Sequence, residues 1–358
     1  MTKYNFSAGP ACLPKDVVLS INKEAFNYKN SGMSVFEISH RSKYIMDLFE
    51  ESTSRIQTLL KIPPNYKVLW LPGGASLQFS MVPLNLMKKG DKADYIETGS
   101  WSTKAINECL KVGEVNIAAS SKSSNFSYIP KNYNQNNESI YTHITSNNTI
   151  YGTQYKKFPD VINKKGFLVA DMSSDILSRP LNLNDFGLIY AGAQKNIGIA
   201  GVTLVILRED IIQSSHQTLP SMLDYKIHMK NDSMYNTPPV FCVYAVNETL
   251  KWINKLGGLE SIEFMNNTKA ELLYNEIDEN KLFRCPVSYE DRSNMNVVFT
   301  FSDQSKNDND FLDFCSKRGL NTLKGHRSVG GFRASIYNAM PIQGVKELTK
   351  AMREYSKK

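Results

Sequence analysis

Cysteine is sparse and scattered: five residues, Cys12, Cys109, Cys242, Cys285 and Cys315, in a chain of 358. An odd total with no C-x-x-C pair excludes a disulfide framework and a cysteine-based zinc site, and it fits a reducing compartment. No metal is expected. Long apolar runs are also missing. No stretch approaches the ~20 residues a membrane span requires, and the start, Met1-Thr-Lys-Tyr-Asn-Phe-Ser-Ala-Gly-Pro10, has no signal-peptide core. A cytoplasmic protein without a membrane partner is expected. The nucleotide signatures G-x-G-x-x-G and G-x-x-x-x-G-K-[ST] do not occur, which argues against nicotinamide-dinucleotide and nucleoside-triphosphate chemistry. Net charge is +7, yet no basic run exceeds two residues, so the clustered stripe of a nucleic-acid binder is absent. The excess suits anionic small molecules better.

What remains is the composition of an ordinary globular enzyme, 41% hydrophobic and 22% charged, and long enough for two domains. Apolar runs alternate with helix-period segments. Ser42 is placed to cap a helix running through Tyr44 to Leu60. Val68–Leu71, Ala93–Ile96, Thr142–Thr145, the run ending at Asp171, Leu188–Ala191 and Val202–Leu207 read as buried strands, with a helix from about Ser102 to Lys111. This alternation predicts an α/β domain with a mostly parallel sheet covered on both faces. From about Asn254 the pattern changes. Helices over Leu259–Glu276, Asn309–Arg318 and Ile342–Tyr355 surround strands at Asn296–Phe301 and Val329–Ile336, the signature of a smaller α+β domain. The polar stretch from Ser120 to Asn137 reads as a loop. We expect a large unit over 16–254 and a small one from 1–15 and 255–358.

The chemistry centres on Lys195, in Tyr190-Ala-Gly-Ala-Gln-Lys-Asn-Ile-Gly198, framed by Gly192, Gly198 and Gly201. A buried lysine amine loses basicity and becomes available for Schiff-base chemistry. Asp171 closes the apolar run Gly166-Phe-Leu-Val-Ala-Asp171. A strand-end carboxylate followed by a glycine-wrapped lysine is the pair that holds pyridoxal phosphate: the lysine binds its aldehyde, and the carboxylate keeps the ring nitrogen protonated. Other features are weaker singly. Pro72-Gly-Gly-Ala-Ser76 after a strand reads equally as an ordinary turn or as a helix N-terminus that receives phosphate. Trp101 taken alone reads as core, although an indole at a strand end can stack on a ring. Asn236-Thr-Pro-Pro239 reads more simply as a loop before a helix. Two His-Arg pairs, His40-Arg41 and His326-Arg327, offer grips for carboxylate or phosphate.

Together these residues resemble the class V aminotransferases of PLP fold type I, and among them the phosphoserine aminotransferases. The resemblance covers Asn5-Phe-Ser-Ala-Gly-Pro10, Ser39-His-Arg41, Gly73-Gly-Ala-Ser-Leu-Gln-Phe79, Gly99-Ser-Trp101, Asp171-Met-Ser-Ser174, Ala191-Gly-Ala-Gln-Lys-Asn196, Asn236-Thr-Pro-Pro239, Gly325-His-Arg327 and Arg333-Ala-Ser-Ile-Tyr-Asn338. It implies a large domain with a seven-stranded sheet. It also implies pyridoxal phosphate as cofactor and amino transfer between L-glutamate and 3-phosphohydroxypyruvate, extending to the phosphorylated hydroxythreonine precursor of vitamin B6. The implied roles are Lys195 as the amine, Asp171 at the ring nitrogen, Trp101 against the ring and Thr149 beside its 3′-oxygen. Ala75, Ser76 and Gln194 would hold the cofactor phosphate, joined by Asn236 and Thr237 from the second subunit of a homodimer. Arg327 would take the substrate α-carboxylate, and His40, Arg41 and His326 the distal anion. Some members of the family carry Gly-Arg where this chain has Ala75-Ser76, and that arginine reaches the substrate phosphate. The related cysteine desulfurases resemble a different pattern, with histidine directly before the lysine; here that position is Gln194.

Overall fold

The computed structural model describes residues 2–213 and 218–358. Seven strands lie side by side in the order Tyr66–Leu71, Thr203–Arg208, Phe186–Gly192, Phe167–Asp171, Tyr141–Thr145, Lys92–Glu97 and Glu114–Ser120. The last five of these run parallel. Thr203–Arg208 is antiparallel to both its neighbours, Tyr66–Leu71 and Phe186–Gly192. The central strands are buried along their whole length, as a sheet covered on both faces requires. One face packs under the helices Lys43–Leu60 and Val240–Lys255, the other under Gly74–Leu86 and Ser100–Cys109.

Local chemistry sets the element ends. Ser42 Oγ accepts a hydrogen bond from Ile45 N at 3.4 Å and starts the first long helix, as its position predicts. The helix at Trp101 begins two residues earlier than expected, at Ser100, because Ser102 Oγ accepts from both Thr98 N and Gly99 N. Three elements escape the sequence reading or blur in it. The helix Lys15–Glu24 follows Pro14 without a side-chain cap, the edge strand Glu114–Ser120 mixes exposed and buried residues without period, and the short strand Tyr4–Asn5 pairs with Leu320–Asn321.

A second core gathers Phe6 with residues from Ala270 to Met352, around the antiparallel strands Phe283–Arg284, Asn296–Phe301 and Phe332–Ser335. The helix Leu259–Glu279 belongs to both cores. Its first turns, at Leu259 and Ile262, bury against the large sheet's helices, and its later turns, from Ala270 on, bury against the small sheet. The polar stretch Ser120–Asn137 holds one 3-10 turn, Lys122–Ser124, and otherwise runs irregularly. Midway it is held by Asp291, whose carboxylate accepts from Ile129 N and Lys131 Nζ. Among the described residues no helix is long and apolar enough to cross a membrane.

Candidate active site

Segments leaving the carboxyl ends of the sheet's strands converge on one edge, the place where open α/β sheets bind ligands. Four matter here: Pro72–Ser76 after Leu71, Gly99–Trp101 after Glu97, Ser146–Thr149 after Thr145, and Ala193–Lys195 after Gly192. Asp171 is itself a strand end, in register with Thr145 and Tyr190.

Lys195 Nζ donates to Thr149 Oγ1 at 2.8 Å and stands 5.5 Å from the centre of the Trp101 ring. Burial pushes its pKa down to about 8; the nearby Asp171 carboxylate works against that fall and Arg333 adds to it. Asp171 is buried, which raises its pKa, while the Lys195 charge and Ser173 pull it back. Ser173 N and Ser173 Oγ both donate to Asp171 Oδ1, at 2.9 and 2.6 Å, and Gly192 N donates to Ser173 Oγ. No described residue donates to Oδ2, so that oxygen is left for a ligand.

Gly73 turns the chain with φ +92° at the N-terminus of the helix Gly74–Leu86. A Cβ there would stand 2.4 Å from Leu77 Cδ2. The turn leaves the backbone N–H groups at Ala75 and Ser76 unpaired inside the helix, with no acidic residue in its first turn, so an anion is favoured there. This donor set fits pyridoxal phosphate: an amine of lowered basicity, a buried carboxylate with one free oxygen, a flat indole and an anion cradle.

The N-terminal segment walls the site. Ala11 N donates to Gln194 O, and Tyr337 Oη donates to Ala8 O. A Cβ on Gly9 would lie 3.4 Å from Lys195 Cγ. Asn196, next to the amine, ties to the small core through Asn338 N, which donates to its Oδ1 at 3.0 Å.

Arg327 is exposed, whereas the guanidinium beside Lys195 is that of Arg333, which donates to Thr149 O at 3.1 Å and whose pKa burial lowers. Arg333 sits on a strand whose neighbours Phe332 and Ala334 are core residues. A charged residue alternating with core positions was the signal available for it. His326 lies close enough to Arg333 and Arg327 for their charges to deepen the fall in its pKa that burial causes, which keeps the ring neutral. Its Nδ1 accepts from Ser328 N, which places the ring proton on Nε2. His40, Arg41, Asn236 and Thr237 make no contact with this cluster within one chain. Asn236 Nδ2 reaches only Thr237 O, and the His40 Nε2 atom is buried without a partner. Among the described residues no group of three or more His, Cys, Asp or Glu is placed to hold a metal ion.

The lowered basicity of Lys195 has a measurable sign. The unprotonated amine is the nucleophile, so cofactor-free protein should bind pyridoxal phosphate at a rate that rises with pH and levels off above about 8. Absorbance at the bound cofactor's visible band follows this directly. A rate still climbing steeply near the ~10.4 of an ordinary lysine would contradict the burial of the amine.

The family model for aminotransferase class-V matches residues 3–348. The chain is 51% identical to a phosphoserine aminotransferase of Azobacteroides pseudotrichonymphae, covering 100% of this chain and 98% of that protein. The fold superposes on the phosphoserine aminotransferase of Bacillus circulans subsp. alkalophilus with a TM-score of 0.96 and 46% identity, over 99% of each chain. It also matches the PLP-bound phosphoserine aminotransferase of Trichomonas vaginalis, at TM-score 0.93 and 41% identity, over 98% of this chain and 100% of that one.

Proposed function

The chain belongs to the class V aminotransferases, and from that premise we propose that it moves the amino group of L-glutamate onto 3-phosphohydroxypyruvate, giving O-phospho-L-serine and 2-oxoglutarate. One observation carries this reading. The Lys195–Asp171 pair opens toward three groups suited to anions, Arg333, His326 and Arg327, and no described carboxylate forms an ion pair with any of them. Such a site asks for a substrate with more than one negative charge.

When bound, pyridoxal phosphate supplies a conjugated ring that accepts the electron pair released at the substrate Cα. The protein's own groups do the rest. Lys195 Nζ takes the Cα proton, and a pKa near 8 leaves a share of the amine uncharged at neutral pH. Thr149 Oγ1 holds that amine in place. Asp171, oriented by Ser173, keeps a proton on the ring nitrogen. Ala75 and Ser76 bind the cofactor phosphate through backbone N–H groups, and Trp101 packs against the ring and excludes water. Arg333 takes the α-carboxylate in the role the sequence pattern gives to Arg327, and Arg327 and His326 face the distal anion.

A homodimer completes the site in this reading, with Asn236, Thr237, His40 and Arg41 serving across the interface. Two observations support it: no described hydrogen bond or ion pair ties those four residues to Lys195 within one chain, and the segment around two of them exposes Leu19, Phe26, Phe36 and Met46, Phe26 by 81%. We further propose that 16–254 and 1–15 with 255–358 behave as two units about this site. The phosphorylated hydroxythreonine precursor of vitamin B6 is a second substrate of the same chemistry, and the cytoplasm the compartment.

Steady-state amino transfer to 3-phosphohydroxypyruvate and to unphosphorylated hydroxypyruvate tests the reading, on protein whose mass in solution has been measured by sedimentation. We expect twice the 40.5 kDa of one chain and kcat/KM at least about a hundredfold higher for the phosphorylated acid, the discrimination of a charge-assisted phosphate contact or two. Equal use of both acids, or full activity as a monomer, would refute it.

A further inference from the structure

Lys104 lies on the helix Ser100–Cys109, one turn past Trp101. Helical side chains lean back toward the N-terminus, over the residue three or four positions earlier. Lys104 does so, and its Nζ stands 4.6 Å from the centre of the Trp101 ring. Lys195 Nζ faces that same ring.

An ordinary surface role was open to this side chain. Glu108, four residues on, is the standard ion-pair partner on a helix face. Glu108 is instead taken by Lys111 at 2.7 Å and by Ser80 Oγ at 3.0 Å. No described carboxylate forms an ion pair with Lys104. Its charge is also felt at His326, along with those of Arg333 and Arg327. Four basic side chains from two distant parts of the sequence therefore border one space at the mouth of the site. The residues that cradle the cofactor phosphate, Ala75 and Ser76, bring no charge to that space. A dianionic phosphate entering it would find the side chains of Lys104 and Arg327 as fixed cations.

We propose that Lys104 is a specificity-determining residue, whose ammonium swings off the Trp101 ring to bind the distal phosphate of the substrate. The inference rests on the phosphorylated-substrate reading above. The compact ammonium on a flexible stem suits this motion: an exposed ammonium over a half-buried ring is held weakly, and a phosphate binds it more strongly. Contact with phosphate moves the lysine to the substrate, and release returns it to the indole.

The test uses the holoenzyme and two variants. Lys104→Met keeps the aliphatic stem over Trp101 and removes the charge; Lys104→Arg restores the charge. For Lys104→Met we expect kcat/KM with 3-phosphohydroxypyruvate to fall about tenfold more than with hydroxypyruvate, mostly through KM, the loss of one charge-assisted contact. Lys104→Arg should recover most of that ratio. Equal falls for both acids, which leave the ratio unchanged, would mean that Lys104 only supports Trp101, and native kcat/KM with both acids would mean that it contributes to neither; either overturns the proposal. The two readings fail separately. A native enzyme that ignores the phosphate refutes the function itself, whereas a native enzyme that prefers it, with Lys104→Met keeping the full preference, refutes Lys104 alone.

Discussion

Lys195→Ala should lower turnover by about 10⁴-fold or more, because one change removes both the covalent attachment of the cofactor and the base that moves the Cα proton. The position tolerates the truncation structurally. Lys195 keeps part of its surface exposed, and its amine makes one hydrogen bond, to Thr149. The loss should therefore appear in catalysis and not in folding. Thermal unfolding of the cofactor-free variant should stay within a few degrees of the native protein, while amino transfer between glutamate and the phosphorylated keto acid nearly vanishes. Lys195→Arg keeps the positive charge but cannot form the attachment or act as a base near neutral pH; it should fail to a similar degree. Turnover within about tenfold of native in the alanine variant would remove Lys195 from the mechanism.

Asp171→Asn is the second large effect, and its signature is double. The amide has the shape of the carboxylate and can still accept from Ser173 N and Oγ, so the strand end should fold as before. What disappears is the negative charge that keeps the ring nitrogen protonated. Loss of a preorganised electrostatic partner of this kind costs roughly 10²–10³ in kcat. The same carboxylate also raises the pKa of Lys195 against the effect of burial. Without it, the pH at which cofactor capture levels off should move down from about 8. A variant that loses activity while capture keeps its pH dependence would separate Asp171 from Lys195 and contradict the coupling seen here.

Much of the frame was legible because the strands that carry Asp171 and lead into the lysine turn are apolar runs ended by a polar residue or glycine. Phe167–Asp171 and Phe186–Gly192 stand out in this way, and with them Asp171 and the lysine turn. Glu114–Ser120 did not, because an edge strand with one half-wet face carries neither a solid nor an alternating pattern. Arg333 was passed over for a different reason. Its contact is with the backbone of Thr149, 184 residues away, and the one local signal, its alternation with Phe332 and Ala334, marks a strand and not a site. Only the fold shows that one guanidinium is half-buried beside the amine and the other is in solvent. Lys104 was hidden by the same limit: its spacing to Glu108 reads as a surface ion pair until Glu108 is found bonded to Lys111 and Ser80.

The pairing of Tyr4–Asn5 with Leu320–Asn321 gives this enzyme an order of birth. Tyr4–Asn5 leaves the ribosome well before its strand partner, which follows some 300 residues later, about 15–60 s at ordinary rates of synthesis. Phe6 has no core to enter until those later residues emerge. Throughout that interval the large sheet and its lysine can assemble without the wall that Ala8, Gly9 and Ala11 form. The chemistry therefore waits until Leu320 and the residues after it have been made, and a chain stopped short of Leu320 would hold Lys195 open to the cell's free aldehydes.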